Sequence, residues 1–113
     1  MGCAQIDQLP TFVEAKRTLA LRYKRWFDQF DIQFILEPSG THSNYWLNAV
    51  LFENLEVRDN FLKYTNDHGV MTRPMWTLMN KLSIFQGSQC GELSNAEWLE
   101  QRIVNIPSSM IIT

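Results

Sequence analysis

Cysteine is scarce in this chain: Cys3 and Cys90 are the only two in 113 residues. They stand far apart, and neither forms a CxxC pair or joins a His/Cys cluster at metal-ligand spacing. That excludes a zinc module and a disulfide framework. Two free thiols, buried or half-buried, are expected, and no His or Asp stands near Cys3 to make it a nucleophile. Excess charge is missing as well. Ten Lys and Arg against twelve Asp and Glu leave a formal charge of -2, without the footprint that DNA, RNA or an anionic membrane would require. No apolar run nears the ~20 residues of a membrane span, and the N-terminus lacks the regions of a signal peptide. A cytoplasmic location, with no nucleic-acid or membrane partner, is expected. Ser108 and Ser109 lack a GxSxG setting, and there is no internal repeat or low-complexity linker.

What the chain does have is enough apolar mass for one domain over residues 1–113. It is 45% hydrophobic, with seven Phe, four Trp and three Tyr, richer than a disordered segment. Thr11-Phe-Val-Glu14 has the form of a capping box, so a helix is expected to start there. Phe12, Ala15, Leu19, Tyr23, Trp26, Phe27 and Phe30 then recur at three- and four-residue steps, with basic residues on the other face. Pro10 precedes this helix, leaving Gly2 to Leu9 as a separate turn or kinked extension.

Asp31 to Thr41 reads as a connector with one apolar patch, Phe34-Ile-Leu36, ending in the turn signal Pro38-Ser-Gly40. A strand is expected next, with Tyr45, Leu47, Ala49 and Leu51 on one face and Trp46, Asn48, Val50 and Phe52 on the other. Asn54 can cap a helix running to about His68, where the dipole suits a histidine and Gly69 ends the run. Val70 to Met75 reads as a strand whose Pro74 marks an edge. Trp76 to Phe85 is expected as a short helix and Gln86 to Leu93 as a loop. Ser94-Asn-Ala-Glu97 suggests a second capping box with a helix to about Arg102, and Ile103 to Ile106 a last strand ended by Pro107. The order is α, β, α, β, α, α, β. It implies an α+β fold with helices packed on a small, three-stranded antiparallel sheet.

Two residues of the Val70–Trp76 stretch could carry recognition. Arg73, on a backbone stiffened by Pro74, can bind a phosphate or carboxylate with two parallel hydrogen bonds, or it can pair with one of the chain's own acids. Trp76 can stack on a sugar or a base, or it can belong to the core beside Met75 and Leu78.

Taken together, Val70-Met-Thr-Arg-Pro-Met-Trp76, Asn95-Ala-Glu-Trp98 and Val104-Asn-Ile-Pro-Ser-Ser109 resemble, in order, the C-terminal end of the DegT/StrS family of pyridoxal-phosphate-dependent nucleotide-sugar aminotransferases. Gly2-Cys-Ala-Gln5, Lys16-Arg17, Leu19-Ala20 and Tyr23 resemble that family's helix into its small domain. His42-Ser-Asn-Tyr-Trp-Leu47 is similar to its first strand, and Arg58-Asp59 with Phe61-Leu62 to its next helix. Thr72 to Leu82 with Asn105 to Ser109 is most similar to members acting on UDP-linked 4-keto-6-deoxy sugars of the legionaminic acid or bacillosamine type.

The resemblance implies the small C-terminal domain of such an enzyme, with the large cofactor domain absent and pyridoxal phosphate bound only by the complete family member. It implies that His42 and Tyr45 join Arg73 and Trp76 as candidates for contacting a nucleotide-sugar. None of Lys16, Lys24, Lys63 and Lys81 falls in a segment like the family's cofactor-lysine motif, so this chain has no catalytic residue, binds no cofactor and is inactive alone. The alternative is a truncated gene product, with Met1 where the family has an ordinary helix residue, acting as a non-catalytic binding or assembly module. Either way, an apolar face left uncovered implies a homodimer or higher oligomer.

Overall fold

The computed structural model describes residues 2–109, apart from the side chain of Ala4. Met1, and the comparison resting on it, lies outside the described residues. Helix α1 (Gly2–Ile6) is followed by α2 (Leu9–Phe27), which carries Pro10 in its first turn. Proline there gives up an N–H that would have no helical partner in any case. The helix therefore starts before the Thr11–Glu14 box, which does not cap it. Gln8 occupies the cap position without a side-chain bond, and its carbonyl accepts from the Phe12 N–H at 3.1 Å. Ala20 and Phe27 of α2 are buried in the core and Tyr23 packs against it, while Trp26 and Phe30 lie against one another, half in solvent.

The sheet has four strands, not three. β1 (Gln33–Phe34), β2 (Asn48–Leu51), β3 (Arg73–Pro74) and β4 (Ile103–Ile106) lie in the order β1-β2-β4-β3, with every pair antiparallel. β1 falls inside the presumed connector, and its two residues are too few to show a period. It is made by pairing: Phe34 lies opposite Val50, and Val50 opposite Val104. These three share the covered face with Phe52 and Ile106, against Ala20 and Phe27 of α2 and the partly buried Phe61 and Leu62.

The strand expected from Tyr45 begins only at Asn48. Tyr45 has φ +45°, in the left-handed region that L-residues avoid, and it reverses the alternation: Tyr45 is buried and Trp46 exposed. Helix α3 (Leu55–Asp67) matches its signals. The Asn54 side chain accepts from the Val57 N–H at 3.0 Å, His68 closes the C-terminal end, and Gly69 at φ +77° turns the chain away. The strand expected over Val70 to Met75 shrinks to two residues on an edge strand, the place in a sheet where a proline is tolerated.

Two 3-10 turns, Met79–Lys81 and Ser83–Phe85, replace the expected helix after Trp76. Helix α4 (Ser94–Glu100) is shorter than expected and starts without a Ser94 cap. The Ser94 N–H is taken by the Glu92 carboxylate at 2.6 Å, and Leu93 supplies the first carbonyl. Both cysteines are free, but exposed and not buried, because they lie on the exposed α1 and on the loop before α4. Among the described residues no helix is long and apolar enough to cross a membrane.

Candidate functional site

At the free edge of the sheet, Arg73 is the first residue of β3 and lies opposite Asn105. Both sides of its backbone are tied down. Thr72 is buried and shares a 2.6 Å hydrogen bond between its hydroxyl and that of Thr65, while the Asn66 amide donates to the Thr72 carbonyl at 3.1 Å. After Pro74, the Met75 N–H donates to the Ile103 carbonyl at 3.3 Å. Helix α3 thus fixes where the Arg73 side chain leaves the backbone.

That side chain lines an open cleft of about 510 Å³, together with Lys16, Trp46, Met71 and the chain from Asn105 to Ser109. None of the lining residues is acidic. The Arg73 guanidinium pairs with no carboxylate among the described residues and has only the Met71 sulfur at 3.6 Å. The internal salt bridge left open by the sequence is not formed. Lys16 reaches in from α2 and donates to the Ser108 carbonyl at 2.8 Å, while the Ser108 hydroxyl accepts from the Asn48 N–H at 2.8 Å. Ser108 therefore shapes the cleft floor.

Trp76 is 65% exposed and Trp46 64%, so the core reading of Trp76 is not realised. The two rings lie 6.4 Å apart at 36° beside the cleft. A guanidinium on an anchored backbone, an ammonium within the same cavity and two exposed indoles can hold an anion joined to a flat or ring-shaped group.

His42 and Tyr45 line a neighbouring hollow of about 280 Å³, which shares Leu47 with the cleft. His42 is exposed, whereas Tyr45 is only 5% exposed and belongs to the core. The Tyr45 hydroxyl accepts from the Glu37 N–H at 3.3 Å, and Arg17 stands 5.5 Å from its ring centre. The four candidates thus divide into Arg73 with Trp76 and His42 with Tyr45, and the loop from Glu37 to Leu47 joins the two places.

That loop is fastened by a pair the sequence did not single out. Arg17 donates to both Glu37 oxygens, at 2.7 and 2.9 Å, and to the Ser43 carbonyl at 2.7 Å. The Ser43 N–H donates back to Glu37 at 2.5 Å. The Arg17 guanidinium and the Ser43 amide hold the Glu37 carboxyl down to about 2. Lys16 and Trp46 were also missed as cleft residues. Lys16 meets Ser108 across 92 positions, and strand alternation groups Trp46 with Asn48 and Val50, which are buried.

No lysine here fits a cofactor-bearing role, which needs a reactive amine in a shaped pocket. Lys16 is committed to Ser108, Lys24 to Asp28, Lys63 to Asp67 at 2.6 Å and Lys81 to Glu100. The Asp67 carboxylate raises the Lys63 pKa, which keeps that amine protonated. Among the described residues no cluster of His, Cys, Asp and Glu could hold a metal ion.

Comparison with known proteins places these observations. The sequence profile of the DegT/DnrJ/EryC1/StrS aminotransferase family matches residues 1–113. GDP-perosamine synthase of Vibrio cholerae is 26% identical over 113 residues, covering 96% of this chain and 30% of that protein. GDP-4-keto-6-deoxy-D-mannose 3-dehydratase of Yersinia pseudotuberculosis is 28% identical, over 89% of this chain and 27% of its own length. The crystal structure of the aminotransferase TlmJ from Streptoalloteichus hindustanus superposes with a TM-score of 0.84 at 27% identity, over 95% of this chain and 29% of that one. The chain therefore spans under a third of the relatives it matches.

Proposed function

This chain belongs to the DegT/DnrJ/EryC1/StrS aminotransferase family, and on that premise we propose that it serves as the C-terminal small domain of a pyridoxal-phosphate-dependent nucleotide-sugar aminotransferase. In this reading it supplies one wall of the sugar pocket and part of the subunit contact, and it is not catalytic by itself. The observation that carries the reading is Arg73, anchored on both sides, without an acidic partner, and set in an open cleft beside two exposed tryptophans.

The surface of the chain supports the idea of missing walls. Its accessible area is 8622 Å², against about 6,500 Å² for a self-contained protein of this mass. Its radius of gyration is 16.6 Å, against about 13 Å for a self-contained domain. Trp46, Met71, Trp76, Met79 and Ile84 are among the apolar side chains left in solvent. A large domain, or a second copy of this chain, would cover such a surface.

In the complete enzyme, pyridoxal phosphate would supply the electron sink through which an amino group passes from glutamate to a keto sugar. The part of this chain is to bind and orient. Arg73 grips the phosphate of the nucleotide-sugar and Trp46 and Trp76 present flat faces to a base or sugar ring, while His42 borders the neighbouring hollow and the buried Tyr45 supports the loop between the two. The finer substrate reading is a UDP-linked 4-keto-6-deoxy sugar. Two of the relatives have names that refer to GDP-linked sugars, so the base is a matter for direct competition between UDP- and GDP-sugars.

A second reading, a non-catalytic module that self-associates through the same uncovered surface, is favoured by the excess area alone. Titration with nucleotide-sugars separates the two: binding at Arg73 supports the sugar-pocket role, and self-association without binding supports the assembly module.

A further inference from the structure

We infer that Trp46 is a ligand-contacting residue of the Arg73 cleft and that the Arg17–Glu37 pair is the device that positions it. The inference rests on reading the cleft as part of a nucleotide-sugar pocket. Trp46 lines the cleft with Arg73, and its ring lies 6.4 Å from that of Trp76. Strand alternation alone would have put its indole in the core and Tyr45 in solvent. The reverse arrangement requires Tyr45 to take φ +45°, which a residue with a Cβ adopts only when its surroundings hold it there.

Those surroundings are visible. Ser43 is held through its carbonyl by Arg17 and through its N–H by Glu37. The Ser43 hydroxyl then accepts from the Tyr45 N–H at 3.0 Å, and the Asn44 side chain accepts from the Trp46 N–H at 3.0 Å. The Tyr45 ring is anchored in the core, with its hydroxyl on the Glu37 N–H. The bonds run from Glu37 through Ser43 to the Tyr45 backbone, a separate Asn44 turn holds the Trp46 N–H, and from there the indole leaves the loop outward beside an arginine without an acid. Neither Arg17 nor Glu37 lines the cleft. They act on it only through the loop and are positioning residues, whereas Trp46 offers a stacking face to the ring of a base or sugar whose phosphate Arg73 holds.

The test is an NMR titration of the full chain with GDP-mannose and UDP-N-acetylglucosamine, following the indole N–H signals in the wild type and in Trp46→Phe, Trp46→Ala and Glu37→Gln. Ligand should shift both the Trp46 and Trp76 signals. Trp46→Ala should weaken binding by about tenfold or more, while Trp46→Phe keeps it within about threefold. Glu37→Gln should move or broaden the Trp46 indole signal before any ligand is added and weaken binding by about threefold or more. Equal affinity in wild type and Trp46→Ala overturns the contact role. An unmoved Trp46 signal in a folded Glu37→Gln variant overturns the positioning role. Failure of the wild type to bind either probe overturns the pocket reading itself and takes the contact role with it, while the ligand-free Glu37→Gln spectrum still decides the clamp.

Discussion

Arg17 and Glu37, twenty residues apart, meet as a two-pronged ion pair at 2.7 and 2.9 Å and together grip both backbone polar groups of Ser43. One helix thereby sets the path of the loop together with the Tyr45 ring anchored in the core. The pair makes the loop sensitive to acid in a direction that can be worked out. The Glu37 carboxyl is held at about 2, below its ordinary 4.5. Its contribution to stability is present above 4.5 and is lost as the pH falls toward 2. Amide shifts of Ser43 and Trp46 follow the folded-state carboxyl, so they should stay flat down to about pH 3 and then move with a midpoint near 2. In Glu37→Gln that acid transition should vanish, which separates it from the titration of Glu92 and Glu100, whose pKa values are also lowered. An unchanged transition in the variant would show that Glu37 is not its source.

Asn48 is a polar residue in an apolar place. It is 1% exposed, and neither its side-chain oxygen nor its nitrogen has a partner among the described residues. Replacing it with the similarly branched Leu removes two unsatisfied groups, so Asn48→Leu should raise stability by about 1 kcal/mol in urea unfolding. Destabilisation of that size would mean that the amide is bonded in solution.

Helix α3 depends on its cap. Asn54→Ala deletes the acceptor that meets the Val57 N–H and should cost about 1 kcal/mol, read as a lower thermal midpoint. Because α3 also holds Thr72 through Thr65 and Asn66, fraying should appear in the Arg73 amide signal as well. A midpoint shift with Arg73 unmoved would break the proposed link between helix and site.

How much of this was legible in the sequence depended on how local each cause is. Asn54 and Gly69 bound α3 because capping and a positive φ are written in single residues, and Pro74 marked the sheet edge for the same reason. β1 was hidden, since Gln33 and Phe34 become a strand only by meeting Leu51 and Val50. Ser94 has a capping side chain but stands inside α4 as its first residue, with Leu93 at the cap position. Arg73 and Trp76 stand out as a pair beside a proline, whereas the strand expected from Tyr45 starts only at Asn48 because nothing local announces the left-handed Tyr45 that leaves Trp46 in solvent. Lys16 and Ser108 are joined only by the fold.

The four engaged lysines lead to a chemical expectation. Incubating the chain with pyridoxal phosphate and then borohydride should leave no stoichiometric lysine adduct in a peptide mass map. A single fully modified site among Lys16, Lys24, Lys63 and Lys81 would overturn the conclusion that none of them fits the role.

The uncovered apolar surface predicts association. Light scattering at rising concentration should give a mass of at least two chains, and added detergent or a matching large domain should reverse it. A monomer at high concentration would remove the assembly reading.

The central claim is that Arg73 anchors a nucleotide-sugar in the cleft between Lys16 and Trp46, and one titration tests it most directly. Binding of GDP- and UDP-sugars is followed by NMR on the wild type and on Arg73→Met, with unfolding curves showing that both are folded. The account predicts saturable shifts centred on Arg73, Trp46 and Trp76, with affinity reduced about tenfold or more in Arg73→Met, the loss expected for a charge-assisted bidentate contact. Wild-type binding that maps elsewhere, or equal affinity in Arg73→Met, would contradict it.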